Sequence, residues 1–249
     1  MSDFGKRLGL MAEMRKAHLV QLRANCALLE KDVTGSASKS LAGTLRFLGV
    51  ADYVLNKDVA AFKDRFTESV QLSKELFDRF DAGRPIDPSY VSMMSYKELF
   101  DALASGDADL SKELARRIGG RNAVEVEYDR PFDVALGYSL KNVLLGSMDE
   151  ALRHLDLLDS ACLDPDTKDF KGYAIVLRAI LNGDVVLAQS GFNEVIVGHK
   201  HQCKRGGLFK DMEDELLSVW GIGLANLARI CGVMVELDDS LIPADLLAP

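Results

Sequence analysis

Apolar side chains recur every three or four positions along most of this 249-residue chain and seldom alternate. After Asp58, the residues Val59, Phe62, Phe66 and Val70, then Leu76, Phe77 and Phe80, follow one helical face, with Lys63, Asp64, Glu68, Lys74 and Glu75 off it. That spacing predicts an amphipathic helix of about 20 residues, stopped near Gly83-Arg84-Pro85. The best strand pattern, at 123–128, is short and runs into Asp129-Arg130-Pro131, so it reads as a connector or an isolated extended segment. The expected fold class is all-α.

A local signature recurs between the predicted helices. An apolar helix ends in a short polar break, and an Asp opens the next one: Asn56-Lys57-Asp58, Ser105-Gly106-Asp107, Gly146-Ser147-Met148-Asp149 and Asn182-Gly183-Asp184. Gly or Asn accepts the left-handed conformation that closes a helix. Asp accepts from the free N–H groups of the following first turn, where the helix dipole favours its charge. Each break therefore predicts a tight turn between antiparallel helices. The four Asp residues are 49, 42 and 35 positions apart. A tetratricopeptide array would hold a period of about 34, so the architecture expected is irregular stacked helical hairpins. Residues 1–249 read as one helical domain, with seams near 82–90 and 119–131. Residues 32–40 (DVTGSASKS) read as a flexible loop.

Composition narrows the function classes. Apolar residues make up 48% and charged residues 27%, which is globular composition rather than disorder. The net charge of −8 opposes a non-specific grip on nucleic acid. The N-terminal residues up to Lys16 are too charged for a signal peptide, and no run of about 18 apolar residues suggests a membrane span. A cytoplasmic protein is expected. The widely spaced Cys26, Cys162, Cys203 and Cys231 read as free thiols acting as small buried apolar groups.

Candidate chemistry is sparse. His199, His201 and Cys203 form the one cluster of metal-ligand types. On a helix, however, residues two apart point about 200° away from each other, so His201 cannot share a face with the other two. The competing reading is a helix C-terminus enriched in positive groups, followed by Gly206-Gly207. No nucleophile elbow, zinc-protease, P-loop or dinucleotide motif occurs, so no catalytic residue and no cofactor is assigned. Gly221 and Gly223 lie in an apolar helix expected over 216–230, where they suit close helix packing. Trp220, in register with Leu216, Leu217, Leu224 and Leu227, reads as core. Asp211, Glu213, Asp214 and Glu215 precede that helix. They suit its dipole, and they are also candidate partner-binding residues on an acidic surface.

The last third has a distinctive order: a helix ending in Asn182-Gly183-Asp184, a second ending at Gly198-His199-Lys200, and a charged loop. Then come Leu216-Leu217-Ser218-Val219-Trp220-Gly221-Ile222-Gly223-Leu224-Ala225-Asn226-Leu227-Ala228-Arg229, Gly232-Val233 and Pro243-Ala244-Asp245-Leu246-Leu247. This order resembles the end of the immunity protein 49 family of bacterial polymorphic-toxin systems, over residues 170–249. The resemblance implies a non-enzymatic protein that binds a cognate toxin and covers its effector domain. An acidic binder suits a basic toxin. Two other readings compete with it. A helical-repeat scaffold or regulator would recover several unrelated partners. A metal-dependent enzyme built on His199, His201 and Cys203 would carry stoichiometric metal.

Overall fold

Three of the four predicted Asp turns set the frame of the molecule. Asp58, Asp107 and Asp184 each accept a hydrogen bond from the backbone N–H three residues on, at Ala61, Leu110 and Leu187, all at 2.9 Å. The fourth turn differs: Ser147 occupies the capping position without a side-chain bond, and Asp149 lies within the first turn of the helix. Gly106, Gly146 and Gly183 adopt the left-handed conformation. At the first turn Lys57 does so instead of Asn56.

The computed structural model describes residues 3–248; Met1, Ser2 and Pro249 lie outside the described residues. These form eleven α-helices, linked in places by short 3₁₀ turns, in the order α1 (Asp3–Cys26), α2 (Ser36–Asn56), α3 (Val59–Asp81), α4 (Tyr96–Ser105), α5 (Ala108–Arg117), α6 (Asn122–Tyr128), α7 (Pro131–Leu145), α8 (Met148–Ala161), α9 (Lys171–Asn182), α10 (Val185–Gln202) and α11 (Val219–Ile230). No strand occurs among the described residues, only an isolated bridge between Asp239 and Ile242. No helix among them is long and apolar enough to cross a membrane. The class is all-α. α2–α3, α4–α5, α7–α8 and α9–α10 form successive hairpins across two-residue turns.

The final helix breaks the repeat pattern. α11 packs chiefly on α4, far from it in sequence. Their close approach needs glycine, because a Cβ on Gly223 would lie 2.6 Å from the Phe100 carbonyl oxygen. α10 is seated in the same way: a Cβ on Gly198 would lie 1.9 Å from the Asp169 carbonyl oxygen. The buried Asn226 donates to the Leu103 carbonyl at 2.8 Å and accepts from the Ala248 N–H at 2.7 Å. One side chain thus ties α11 to both α4 and the C-terminal tail. A single apolar cluster runs from Val50 to Leu247, on both sides of the two expected seams, and a smaller one joins Phe4, Leu8 and Ala12 of α1 to Phe47, Leu48 and Ala51 of α2.

Three expectations are corrected. Residues 123–128 are not extended; they belong to helix α6. The alternation does not mark one buried face, because positions two apart lie on nearly opposite faces of a helix: Val124 is half-buried and Val126 is 87% exposed. The 32–40 segment is not a flexible loop. Asp32 is fully buried and accepts from the N–H groups of Ala37 (2.8 Å) and Ser38 (3.2 Å), from the Ser38 hydroxyl (2.5 Å) and from Arg79 (2.6 Å), so α2 is already helical at Ser36. The cysteines are free thiols, but only Cys162 is buried; Cys26 and Cys203 are half-buried and Cys231 is exposed.

Candidate functional site

The histidine–cysteine cluster sits at the end of α10, and its members face different ways. His199 is buried, with both ring nitrogens engaged. Nε2 lies 2.7 Å from the Asp214 carbonyl oxygen and Nδ1 lies 3.1 Å from Ser218 Oγ. These partners assign the proton to Nε2, which donates to the carbonyl, while Nδ1 accepts from the hydroxyl. Burial lowers the His199 pKa, which keeps the ring neutral. The ring also stacks on Phe209, with centroids 4.5 Å apart. His201 is exposed and faces Asp169 at 3.4 Å. Cys203 caps α10, and burial pushes its thiol up to about 11. No group of three or more His, Cys, Asp or Glu residues placed to hold a metal ion occurs among the described residues. His199 is a strut that holds the segment leading into α11.

That segment carries the acidic run, and it faces inward. Glu213 and Asp214 are buried against Arg46 of α2. The guanidinium reaches Asp101 of α4 through Nε at 3.0 Å, Glu213 through Nη1 at 2.5 Å and Asp214 through both Nη atoms at 3.0 and 2.9 Å. Glu215 is enclosed and receives Lys210 at 2.6 Å. Only Asp211 of the four acids is exposed, and Lys210 reaches it too, at 3.2 Å. The expected acidic surface at these positions is therefore mostly an internal ion cluster. Nothing in the sequence pairs Arg46 with residues more than 160 positions away.

The cluster borders a cavity of about 270 Å³, shared with Phe209 and Trp220. Burial pushes the Asp101 carboxyl up to about 7; the Arg46 guanidinium opposes this, and Glu98 and Asp214 add to it. A carboxyl poised there suits general acid–base work, but buried ion clusters produce the same shift. The groups around Asp101 are a guanidinium and further carboxylates, a composition that joins α2, α4 and the segment before α11. A stability prediction follows from the sign of the shift. The folded-state pKa lies above the unfolded one, so this group's contribution is complete below about pH 4 and is lost as pH rises through about 7. Asp101→Asn keeps an oxygen for Arg46 and removes the titration. Its melting temperature relative to the natural protein should rise between about pH 5 and pH 7.5. A difference independent of pH would contradict the assignment.

A second site was not anticipated. Between α6 and α8 runs a trough of about 630 Å³, floored by Val134 and Ala135 of α7 and walled by Val126 and Leu157. A neighbouring hollow of about 360 Å³ shares Pro131, Ser160 and Ala161 with it and reaches Asp164 and Asp166. The trough exists because α6 is held by polar bonds near its two ends. Glu125 accepts from Tyr138 at 3.1 Å and from the Arg121 N–H at 3.0 Å. Asp129, just past the helix, accepts from the N–H groups of Met93 at 2.7 Å and Met94 at 3.0 Å. Val126 is thereby presented outward, and small side chains on the floor leave the space open.

The surroundings of the trough are acidic. Residues 122–170 contain eleven Asp and Glu against four Lys and Arg, a net −7 within a chain of net −8. Glu127, Asp149, Glu150, Asp156, Asp159, Asp164 and Asp166 are all exposed. Arg178 pairs with both Asp156 (3.0 Å) and Asp159 (2.7 Å), one cation for two anions. Arg153 pairs with Glu150. An open apolar trough within a surface of net negative charge has the composition of a protein-docking surface. Comparison of the chain with protein-family models, with curated proteins and with solved structures gives no match.

Proposed function

We propose that this protein is a non-enzymatic binding module that captures a basic protein partner, and that the partner is the effector domain of a cognate bacterial toxin. The observation that carries the binding reading is the concentration of the chain's net negative charge over residues 122–170, around an open apolar trough. Such a field speeds encounter with a basic partner, and an apolar centre supplies the area that slows release. The toxin is named on the resemblance of residues 170–249 to the immunity protein 49 family. Neutralisation needs no turnover: the binder covers the effector's active surface.

The test is co-expression. The reading predicts a toxin-like effector domain encoded beside this chain, and that domain is placed under an inducible promoter, with and without the chain. Growth should be restored only in its presence. Continued toxicity with both proteins soluble and abundant would refute the reading.

A further inference from the structure

We propose that the α6–α8 trough receives a basic amphipathic helix of the protein partner, laid with its apolar face on the trough floor and its Lys or Arg residues toward the acidic rim. This deepens the proposed function and rests on it for the partner being a protein.

Two properties of the surface specify the occupant. The first is shape. The trough is open to solvent rather than enclosed, and the neighbouring hollow adjoins it at Pro131, Ser160 and Ala161. No strand is present among the described residues, so they offer no sheet edge for an extended peptide. A helix laid in a groove is the recognition mode that an all-helical surface provides, with anchors at i, i+3, i+4 and i+7. The apolar groups in the trough lining that would meet those anchors are exposed: Val126 at 87% and Leu157 at 51%.

The second property is charge. Glu125 and Asp129 line the trough but are committed to Tyr138 and to the Met93 and Met94 N–H groups. The acids turned to solvent are others. Glu127 is exposed on α6 outside the trough lining, and Asp164 and Asp166 line the neighbouring hollow together with Arg130. Asp156 and Asp159 flank the α8 wall and share Arg178. Arg130, Arg153 and Lys168 are the exposed cations of this region, and Arg153 is held by Glu150. An acidic helix would add to the net negative charge of this region; a basic one would offset it.

The probe is a fluorescein-labelled 16-residue peptide of Leu and Lys, with Leu at helical spacing. A control has the same composition in strict alternation, so its charge is equal but its helical face is not apolar. Binding is read by fluorescence anisotropy at low and at physiological salt. The protein variants are Val126→Glu with Leu157→Glu, and Val20→Glu on α1 as a reference. Both replace exposed residues, and equal melting temperatures confirm that they fold. The double variant is more acidic, so general charge attraction would strengthen its binding. The proposal predicts one peptide bound per protein, at least tenfold weaker binding to the double variant, no change for Val20→Glu, and weakening with salt. Equal binding of the alternating control, or undiminished binding to the double variant, would overturn it. So would self-association in sedimentation that the double variant abolishes, because the trough would then belong to a second copy of this chain. The assay contains no effector. Failed growth rescue beside intact peptide binding therefore removes only the toxin as partner, while rescue that survives in the double variant overturns the trough as the docking site.

Discussion

Arg46→Leu should destabilise the protein by about 3–5 kcal/mol, enough to leave it poorly folded. Among the described residues, Arg46 is the one cation paired with the buried carboxylates of Asp101, Glu213 and Asp214. Leucine occupies similar space and leaves three carboxylates in a site from which water is largely excluded, so the loss is the cost of unpaired buried charge. Two features separate this from simple loss of packing. Urea unfolding of Arg46→Leu should show the deficit shrinking from about pH 7.5 to pH 5, because carboxylates forced above their usual pKa gain protons on acidification and the folded state holds them more tightly than the unfolded one. Arg46→Lys keeps a charge but cannot address three carboxylates as a planar fork, so it should fall between the two. A deficit independent of pH would show that the three acids do not depend on Arg46.

Trp220→Ala should cost about 3–5 kcal/mol. Trp220 is 4% exposed and is the chain's only tryptophan. Its ring stacks on Phe100 at 5.3 Å and meets Tyr96 at 5.4 Å, Phe209 at 5.3 Å, Phe170 at 5.9 Å and Tyr173 at 6.1 Å. These partners come from α4, α9 and the segments before α9 and before α11, so truncation opens a void where several elements meet and none can collapse alone. Trp220→Phe keeps a ring in the stack and should lose much less. Unfolding followed by far-ultraviolet circular dichroism measures both, since the variants lack the fluorescent reporter. A loss below about 1 kcal/mol for Trp220→Ala would mean that the ring is peripheral to the fold.

What could be read along the chain was local physics. The Asp caps at 58, 107 and 184 need only a few neighbouring residues, and the sequence holds all of them. The core role of Trp220 and the packing role of Gly223 follow from helical spacing, and both stand. The misses have one cause: partners distant in sequence. Asp32 looks like a loop residue until Arg79 and Ser38 close on it. Glu213 and Asp214 look like a solvated acidic run until Arg46 reaches them. The α6–α8 trough was not anticipated, although the excess of acids over residues 122–170 can be counted along the chain. Its apolar lining is not legible there, because Val126, Val134 and Leu157 come together only through folding. Near the C-terminus, Leu246 and Leu247 are packed into the core, so those two residues bear on the fold.

The proposed function predicts a toxin effector encoded beside this chain, and calorimetric titration of the purified chain with an inactivated form of that effector domain tests the binding claim most directly. A tight one-to-one complex is predicted, weakened by salt and by Val126→Glu with Leu157→Glu. No heat and no complex, with both proteins folded, would contradict it.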